Sequence, residues 1–382
     1  MISDLNEFVS RFSQKLERAG GKKAKLVLVA DNDLDGLFSA TKMDLVLYEH
    51  SGIEVDTVFR NPVSWDVPLT EIKEFKPDLV LLLDIALTSG TNVRRIPAMV
   101  RSGAVFQIDH HVTPNTGLPL KQFCMLNPCT DGDLYLPTTY LVEQFLQRLF
   151  KEYKPSPSSM HGLMTLLGVF ADAGITSFIK EPKTRQLGVY AVPELQTFYE
   201  EASQSFPKYF SESQLHDLPF LHISKVCKCL EVASFDDGFE EWYLQIINSF
   251  EDKENGLDAL NDEIIKKYSS HFARLFATLH KILSSVDKSK PFLIYRNRTV
   301  QEPNSTLSRY LVEMIGKPVV VYSTGNIVTV SARAPVDSTV DFVPVFNKYG
   351  GGGHKRACGI KLDPEKLLEF ISDLKKTVTT AH

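Results

Sequence analysis

The sequence predicts an α/β protein with three parts: an N-terminal parallel-sheet domain, a helical connector and a smaller C-terminal α/β domain. Three observations carry this. Short all-apolar runs alternate with helix-length segments over roughly the first hundred residues, as buried parallel strands and their crossovers require. A long, charged, helix-patterned stretch follows. Strand and helix spacing then resumes after Lys288-Ser289-Lys290-Pro291. At 382 residues the chain is long for a single core, and the divisions fall at 1–175, 176–290 and 291–382.

Leu5, Phe8, Val9, Phe12 and Leu16 recur at helical spacing, with Asp4 and Glu7 as a cap pair and Gly20-Gly21 as the stop. The run from Leu26 to Ala30 reads as a strand buried on both faces. A turn through Asp31-Asn32-Asp33-Leu34-Asp35-Gly36 leads into a helix from Leu37 to Tyr48. Strands are expected at Val55 to Phe59, at Leu79 to Leu83 with Asp84 after it, and at Ala104 to Ile108 with Asp109-His110-His111 after it. Val93 to Val100, Thr138 to Lys151 and Met160 to Ala173 read as helices. In the last part, Phe292 to Tyr295, Val319 to Tyr322, Ile327 to Ala332 and Ile360 to Leu362 read as strands. Ser305 to Met314 and Pro364 to Lys375 read as helices, and Gly350 to Gly353 as a flexible loop.

Composition narrows the function classes. Hydrophobic residues make up 43% and charged residues 23%, ordinary for a soluble globular chain. No run approaches the roughly 18 apolar residues that span a bilayer, and the N-terminus lacks the basic start and apolar run of a signal peptide. A cytoplasmic protein is the expectation, with no membrane partner. Five cysteines fit a reducing compartment, and neither Cys227-Lys228-Cys229 nor the pair Cys124 and Cys129 has zinc-site spacing. A net charge of −5 excludes a strongly basic protein that coats duplex DNA. Affinity for nucleic acid would come from local basic groups and metals, and a small phosphorylated ligand fits the charge equally well.

Four places present acids or histidines directly after apolar segments: Asp31/Asp33/Asp35, Asp84, Asp109-His110-His111, and Asp172 within Gly168-Val169-Phe170-Ala171-Asp172-Ala173-Gly174. In a parallel sheet, ligands gather at the carboxyl ends of the strands. Hard divalent ions favour carboxylate oxygens, Mn²⁺ accepts imidazole as well, and a close ion pair shares a bridging carboxylate. Each element alone has a plainer reading. An Asp at a strand end caps helices and turns, and a lone His-His is usually surface or core. A calcium-type loop is disfavoured because Lys42 stands where its last acid belongs. The four together, in this order, point to a metal centre.

Asp109-His110-His111 resembles the signature of the DHH phosphoesterases, and Asp33-x-Asp35-Gly36, Asp84 and Asp172 resemble that superfamily's other metal motifs in the same order. The tail from Gly351 to Gly359 resembles the glycine-rich signature of the DHH-associated C-terminal domain. The Asp31-Asn32-Asp33-Leu34-Asp35-Gly36 form is most similar to the RecJ-like single-strand nuclease branch, in a shorter, archaeal-type version, since only some 23 residues follow Gly359. Many members place a histidine ligand where this chain has Val29, and the extra Asp31 of RecJ-like members stands in for it.

The resemblance implies two divalent ions, Mn²⁺ or else Mg²⁺. Asp33 and Asp84, with Asp31, would hold one. Asp35, Asp84, His110 and Asp172 would hold the other, which makes Asp84 the bridge. A water activated between the metals would attack phosphorus, with His111 contacting the scissile phosphate and Asp109 orienting a histidine. In the C-terminal domain, Gly351, Gly352 and Gly353 would offer backbone N–H groups to a phosphate. His354, Arg309, and Ser331 and Arg333 in Ser331-Ala332-Arg333 would complete the substrate contacts. The implied activity is an exonuclease acting on single-stranded DNA or RNA or short oligonucleotides, with replication or repair proteins as partners. The alternatives are an oligoribonuclease, cyclic-dinucleotide or other small-substrate phosphodiesterase, and a non-catalytic replication-associated scaffold. DNA or RNA preference, polarity and oligomeric state are not legible.

Overall fold

The computed structural model describes residues 5–60, 66–86, 92–101, 103–111, 123–128, 136–156, 159–173, 200–201, 203–205, 212–215, 218–251, 256–298, 302–335 and 338–380. Asp4 of the expected cap pair and residues 176–199 at the start of the expected connector lie outside them. The chain divides into two compact units. Met1–Ala173, Val192–Gln214 and Pro219–His271 fall in the first, and Gly174–Ala191, Leu215–Leu218 and Phe272–His382 in the second.

The first unit is built on a five-stranded sheet. Its strands are β1 (Leu26–Ala30), β2 (Val55–Phe59), β3 (Leu79–Leu83), β4 (Val105–Ile108) and β5 (Phe123–Leu126), in the order β2-β1-β3-β4-β5. All pairings are parallel. Parallel strands need crossovers, and helices cover both faces. On one face Val27, Val29, Val80, Leu82 and Val105 pack with Ile72 of α3 (Leu69–Phe75) and with Val93 and Ile96. On the other, Phe106 meets Phe8 and Phe12 of α1 (Leu5–Arg18) edge-on, with ring centroids 5.7 and 5.2 Å apart. Phe145 of α4 (Thr138–Leu149) closes that aromatic cluster. α2 (Leu34–Ser51) and α5 (Met160–Ala173) pack against each other and against α4.

Three sequence expectations change. The segment read as a helix from Val93 to Val100 is a 3-10 helix, Asn92–Ala98, because Pro97 inside it cannot donate a backbone hydrogen bond. β5 was not foreseen; its run is only four residues long and includes a cysteine and a methionine. α2 begins at Leu34 instead of Leu37, because the Asp33 carboxylate caps it by accepting from the Gly36 N–H at 2.9 Å.

A short pair, β6 (Glu212–Leu215) and β7 (Leu218–Leu221), leads into α6 (His222–Asp237), α7 (Phe239–Glu251) and α8 (Gly256–Ser285). α6 packs on α5, and α7 on α2 and β2. The Tyr243 hydroxyl of α7 donates to Asp44 of α2 and lies 2.9 Å from the Thr57 hydroxyl of β2.

The second unit holds a mixed sheet ordered β11-β12-β10-β9-β8. Its strands are β8 (Leu293–Arg296), β9 (Val319–Ser323), β10 (Val328–Arg333), β11 (Gly352–His354) and β12 (Ala357–Leu362). Only β8 and β9 run parallel. Val328, Val330 and Ala332 face a core with Phe342, Phe346 and Phe370, from α10 (Val343–Lys348), the residue before it and α11 (Leu367–Thr380). α9 (Asn304–Ile315) packs on β9 and β10. The glycine run read as a flexible loop is a correction: Gly352 and Gly353 are in β11, paired with Gly359 and Cys358 of β12.

Candidate metal centre

The order β2-β1-β3-β4-β5 places a topological switch between β1 and β3, where crossovers leave in opposite directions and open a crevice at the strand ends. Asp31 directly follows β1, Asp84 follows β3 and Asp109 follows β4. Their backbone N–H groups extend the sheet ladder, donating to Leu83, Ile108 and Leu126 carbonyls at 3.0–3.1 Å. Side chains leaving these positions therefore converge at one edge of the sheet. Asp84 reaches it through left-handed backbone, φ 61°, which is uncommon outside glycine and which Asp tolerates better than most residues.

Asp35, Asp84 and His110 form one group whose ligand atoms all lie within 4.8 Å of one another. Asp31, Asp33 and Asp84 form a second, and Asp84, Asp109 and His111 a third. Asp84 belongs to all three. His110 Nε2 lies 3.2 Å from Asp84 Oδ1, and His110 Nδ1 lies 3.5 Å from Asp172 Oδ2, so Asp172 joins from the end of α5. Asp31, Asp35, Asp84, Asp109 and His110 are buried, and only Asp33 is exposed. Val29 lies with the apolar side chains on one face of the sheet.

The α4 N-terminus fixes two of the acids. Asp35 accepts from the Thr138 N–H at 2.6 Å, from the Thr139 N–H at 2.8 Å and from the Thr139 hydroxyl. The Thr138 hydroxyl donates to Asp84 at 3.0 Å. Sequence reasoning missed both threonines, since they lie about a hundred positions from Asp35. It also missed Arg60, whose guanidinium donates to Asp31 at 2.7 Å. Arg60 follows β2 directly; the strand-end rule that flagged the acids would have found it had it been applied to cations.

The turn itself demands Gly36. A Cβ there would sit 2.3 Å from the Asp31 carbonyl oxygen. Gly36→Ala is expected to cost roughly 1–3 kcal/mol by forcing that turn apart, read as a lower urea midpoint with an unchanged slope.

Burial and crowding set the charges. The Asp84 carboxyl is pushed well above the ordinary carboxylate range, first by burial and then by Asp33, Asp35, Asp31 and Asp172 around it. Asp35 is raised by burial and by Asp172 and Asp33. Asp31 rises to about 6 because burial outweighs Arg60. Burial holds His110 below its usual value, suiting it to accept a cation. Burial opposes a charge on His111 too, but its Nδ1 lies 2.7 Å from Asp109 Oδ1 and the ring is pushed up to about 9. Asp109 is anchored by Gln107 Nε2 at 3.1 Å, and Asn127 holds the His111 carbonyl at 2.8 Å.

Hard oxygens, two imidazoles and mutually repelling carboxylates make a donor set that fits divalent cations of the Mg²⁺ or Mn²⁺ kind. A pH dependence follows for the metal-free protein. Asp31 and His111 bind protons more tightly folded than unfolded, so each stabilises fully below its ordinary value and loses that contribution as pH rises through its folded value. Burial lowers His110 and His161, which act in the opposite sense below about pH 6.5, so the effect is read by difference. In chelator, the stability advantage of the wild type over Asp31→Asn is expected to fall between about pH 4 and 6, by on the order of 3 kcal/mol, and its advantage over His111→Gln between about pH 6.5 and 9. Calorimetric scans of each pair check it, and an advantage that grows with pH would contradict it.

In the second unit, register aligns the expected substrate residues. Arg333 and His354 pair with Ala357 from its two sides, and Ser331 and Gly352 pair likewise with Gly359. Directly paired residues share a sheet face, so Ser331, Arg333 and His354 stand on one face. Arg333 and His354 are two strands, or about 10 Å, apart. On the same side the Ser308 hydroxyl of α9 lies 2.9 Å from the Ser331 hydroxyl, with Arg309 the next residue along. Among the described residues, no helix is long and apolar enough to cross a membrane.

Residues 293–380 match the model of the DHHA1 domain. No curated protein matches the chain by sequence. Several solved structures share its fold. The exonuclease RecJ bound to manganese is 15% identical, with 99% of this chain and 95% of that one covered and a TM-score of 0.60. RecJ in complex with Mn²⁺ from Thermus thermophilus is 16% identical with a TM-score of 0.63, and this chain, 99% covered, spans 54% of it. A DHH domain described as a member of the s1p family of ribosomal proteins is 15% identical over 98% of this chain and 91% of its own, with a TM-score of 0.65. The chain thus ends in a region that matches the DHHA1 domain, and it shares the fold of these structures.

Proposed function

We propose that the protein is a metal-dependent phosphodiesterase of RecJ-like type that hydrolyses single-stranded nucleic acid from an end. The observation that carries this reading is Asp84, a buried carboxylate common to three ligand groups at the switch point and adjacent to a histidine held by Asp109. Two divalent ions are assigned, Mn²⁺ by preference, and the manganese in the exonuclease RecJ structure supports that choice. Asp31, Asp33 and Asp84 would hold one ion, and Asp35, Asp84, His110 and Asp172 the other. When bound, such a pair supplies Lewis-acid activation of water and neutralises phosphate charge.

The chain's own groups do the rest. The His111 ring, kept protonated near neutral pH by Asp109, donates a hydrogen bond to a phosphate oxygen as charge develops there. Asp109 Oδ1 accepts from the His111 Nδ1–H and leaves the Nε2–H as the donor to substrate. Asp35 is fixed by the α4 N–H groups, so it need not reorganise when a cation arrives. In the second unit, Arg333, His354 and Ser331 on one sheet face, with Arg309 and the backbone of Gly352 and Gly353, are assigned to substrate phosphates; the Gly351 N–H leaves that set, because it donates to the Phe346 carbonyl at 2.9 Å.

The test is hydrolysis of an end-labelled single strand beside a dinucleotide, each with Mn²⁺ and with chelator. A metal-dependent ladder from one end of the strand is the expected result. Cleavage of the dinucleotide alone would replace this reading with a small-substrate phosphodiesterase. No cleavage of either would replace it with a non-catalytic scaffold.

A further inference from the structure

Beneath the acid cluster lies a second polar layer that the proposed chemistry does not use. The Lys42 ammonium is buried completely, and it donates both to Glu143 and to the Thr165 hydroxyl. Thr165 Oγ1 also lies 3.3 Å from Glu143 Oε2. Glu143 accepts from Tyr153 OH at 3.3 Å and from Gln147 Nε2 at 2.8 Å, so both carboxylate oxygens are occupied. One member comes from each of three helices: Lys42 from α2, Glu143 from α4 and Thr165 from α5.

Those helices carry the site. α2 and α4 begin at the cluster, with Asp35 and Thr138 in their first turns, and α5 ends there with Asp172. Lys42 is seven residues beyond Asp35, Thr165 seven residues before Asp172, and Glu143 five residues beyond Thr138. Seven residues are two helical turns, roughly 10 Å, and return to the same helix face. The lower layer therefore repeats the upper one on the same faces of α2 and α5, and on α4 Glu143 stands four residues, about one turn, beyond Thr139 and on its face. Between them the Ser39 hydroxyl lies 3.2 Å from the Thr139 hydroxyl. Gly168 lets α5 approach so closely that a Cβ would sit 2.2 Å from Thr139 Oγ1.

The rest of this three-helix contact is apolar. Leu37, Phe38, Ala40, Met43, Val46 and Leu47 of α2 are buried, as is nearly every residue of α5 from Leu163 to Ala171. Apolar faces favour burial but tolerate sliding, whereas a buried ion pair has one register in which both charges are satisfied. A slide of one turn, about 5.4 Å, would carry Asp172 out of reach of His110.

We propose that Lys42, Glu143 and Thr165 are positioning residues, a buried polar key that fixes the register of α2, α4 and α5 and so brings Asp35, Thr138 and Asp172 together at Asp84 and His110. The proposal rests on the reading of the cluster as a cation site.

The test compares wild-type protein with the Lys42→Met/Glu143→Leu/Thr165→Val variant, which removes the key without stranding a charge. Mn²⁺ affinity and stoichiometry are read by calorimetry, and metal-free melting temperature alongside. The expected result is a folded variant whose Mn²⁺ affinity is at least about tenfold weaker, the scale on which ligand-orienting groups act. A variant with wild-type Mn²⁺ affinity, whatever its melting temperature, would show the layer to be merely structural and overturn the proposal. If the triple variant does not fold, Thr165→Val alone carries the test, because it keeps the ion pair and cuts only the tie to α5. A weaker Mn²⁺ affinity is then expected, and an unchanged one overturns the proposal. Wild-type protein that binds no Mn²⁺ would instead defeat the cation-site reading, and this proposal with it.

Discussion

Asp84→Asn is expected to reduce Mn²⁺-dependent hydrolysis by on the order of a thousandfold or more while raising the stability of the metal-free protein. The two effects have one cause. Asp84 is buried amid Asp31, Asp33, Asp35 and Asp172, so its charge is costly until cations arrive. An amide removes that charge and keeps an oxygen to accept from Thr138. Asparagine also tolerates the left-handed backbone at this position better than alanine would, so little strain is added. What it loses is the anionic oxygen shared between ligand groups, and several kcal/mol of transition-state stabilisation with it, which is the source of the thousandfold. Calorimetry in chelator and turnover in Mn²⁺ measure the two signs separately. A mutant that hydrolyses at the wild-type rate would remove the bridging assignment.

His111→Gln is expected to lower turnover by roughly 10²–10³-fold with Mn²⁺ affinity largely kept. His111 is the more exposed of the two histidines, with 26% of its side chain open against 1% for His110. It is therefore the one able to meet a substrate, while His110 is enclosed by Asp84 and Asp172. Asp109→Asn should reproduce much of the loss, since the amide cannot hold the ring protonated; its activity should also fall away at a lower pH than wild type. The check is a pair of measurements on each mutant, Mn²⁺ affinity and the pH–rate profile. Loss of Mn²⁺ binding in His111→Gln would reassign that ring to the metal.

What the sequence disclosed, it disclosed through polarity contrast. β1, β3 and β4 are buried along their whole length, so an acid immediately after each stood out, and a parallel sheet sends all such positions to one edge. The helix of Met160–Ala173 was legible from end to end because its flanks are polar and its interior is not. Other features have no local signal. Thr138 and Thr139 act on Asp35 across a hundred residues, and Lys42 reads as an ordinary helix lysine until Glu143 and Thr165 surround it. The glycine run carries no apolar alternation, so its pairing with β12 depends on a partner strand that composition does not reveal.

The candidate ligands lie between positions 31 and 172, on the ends of three strands and on two helices. No fragment of that unit contains a complete cage, so a cation held by all of them recognises only the finished chain fold. Loading and folding are then one linked equilibrium: each tenfold excess of free ion over its dissociation constant adds about 1.4 kcal/mol to the resistance against unfolding. Scavenging the ion lowers that resistance in the same proportion, so the supply of divalent metal would set how long this unit stays native.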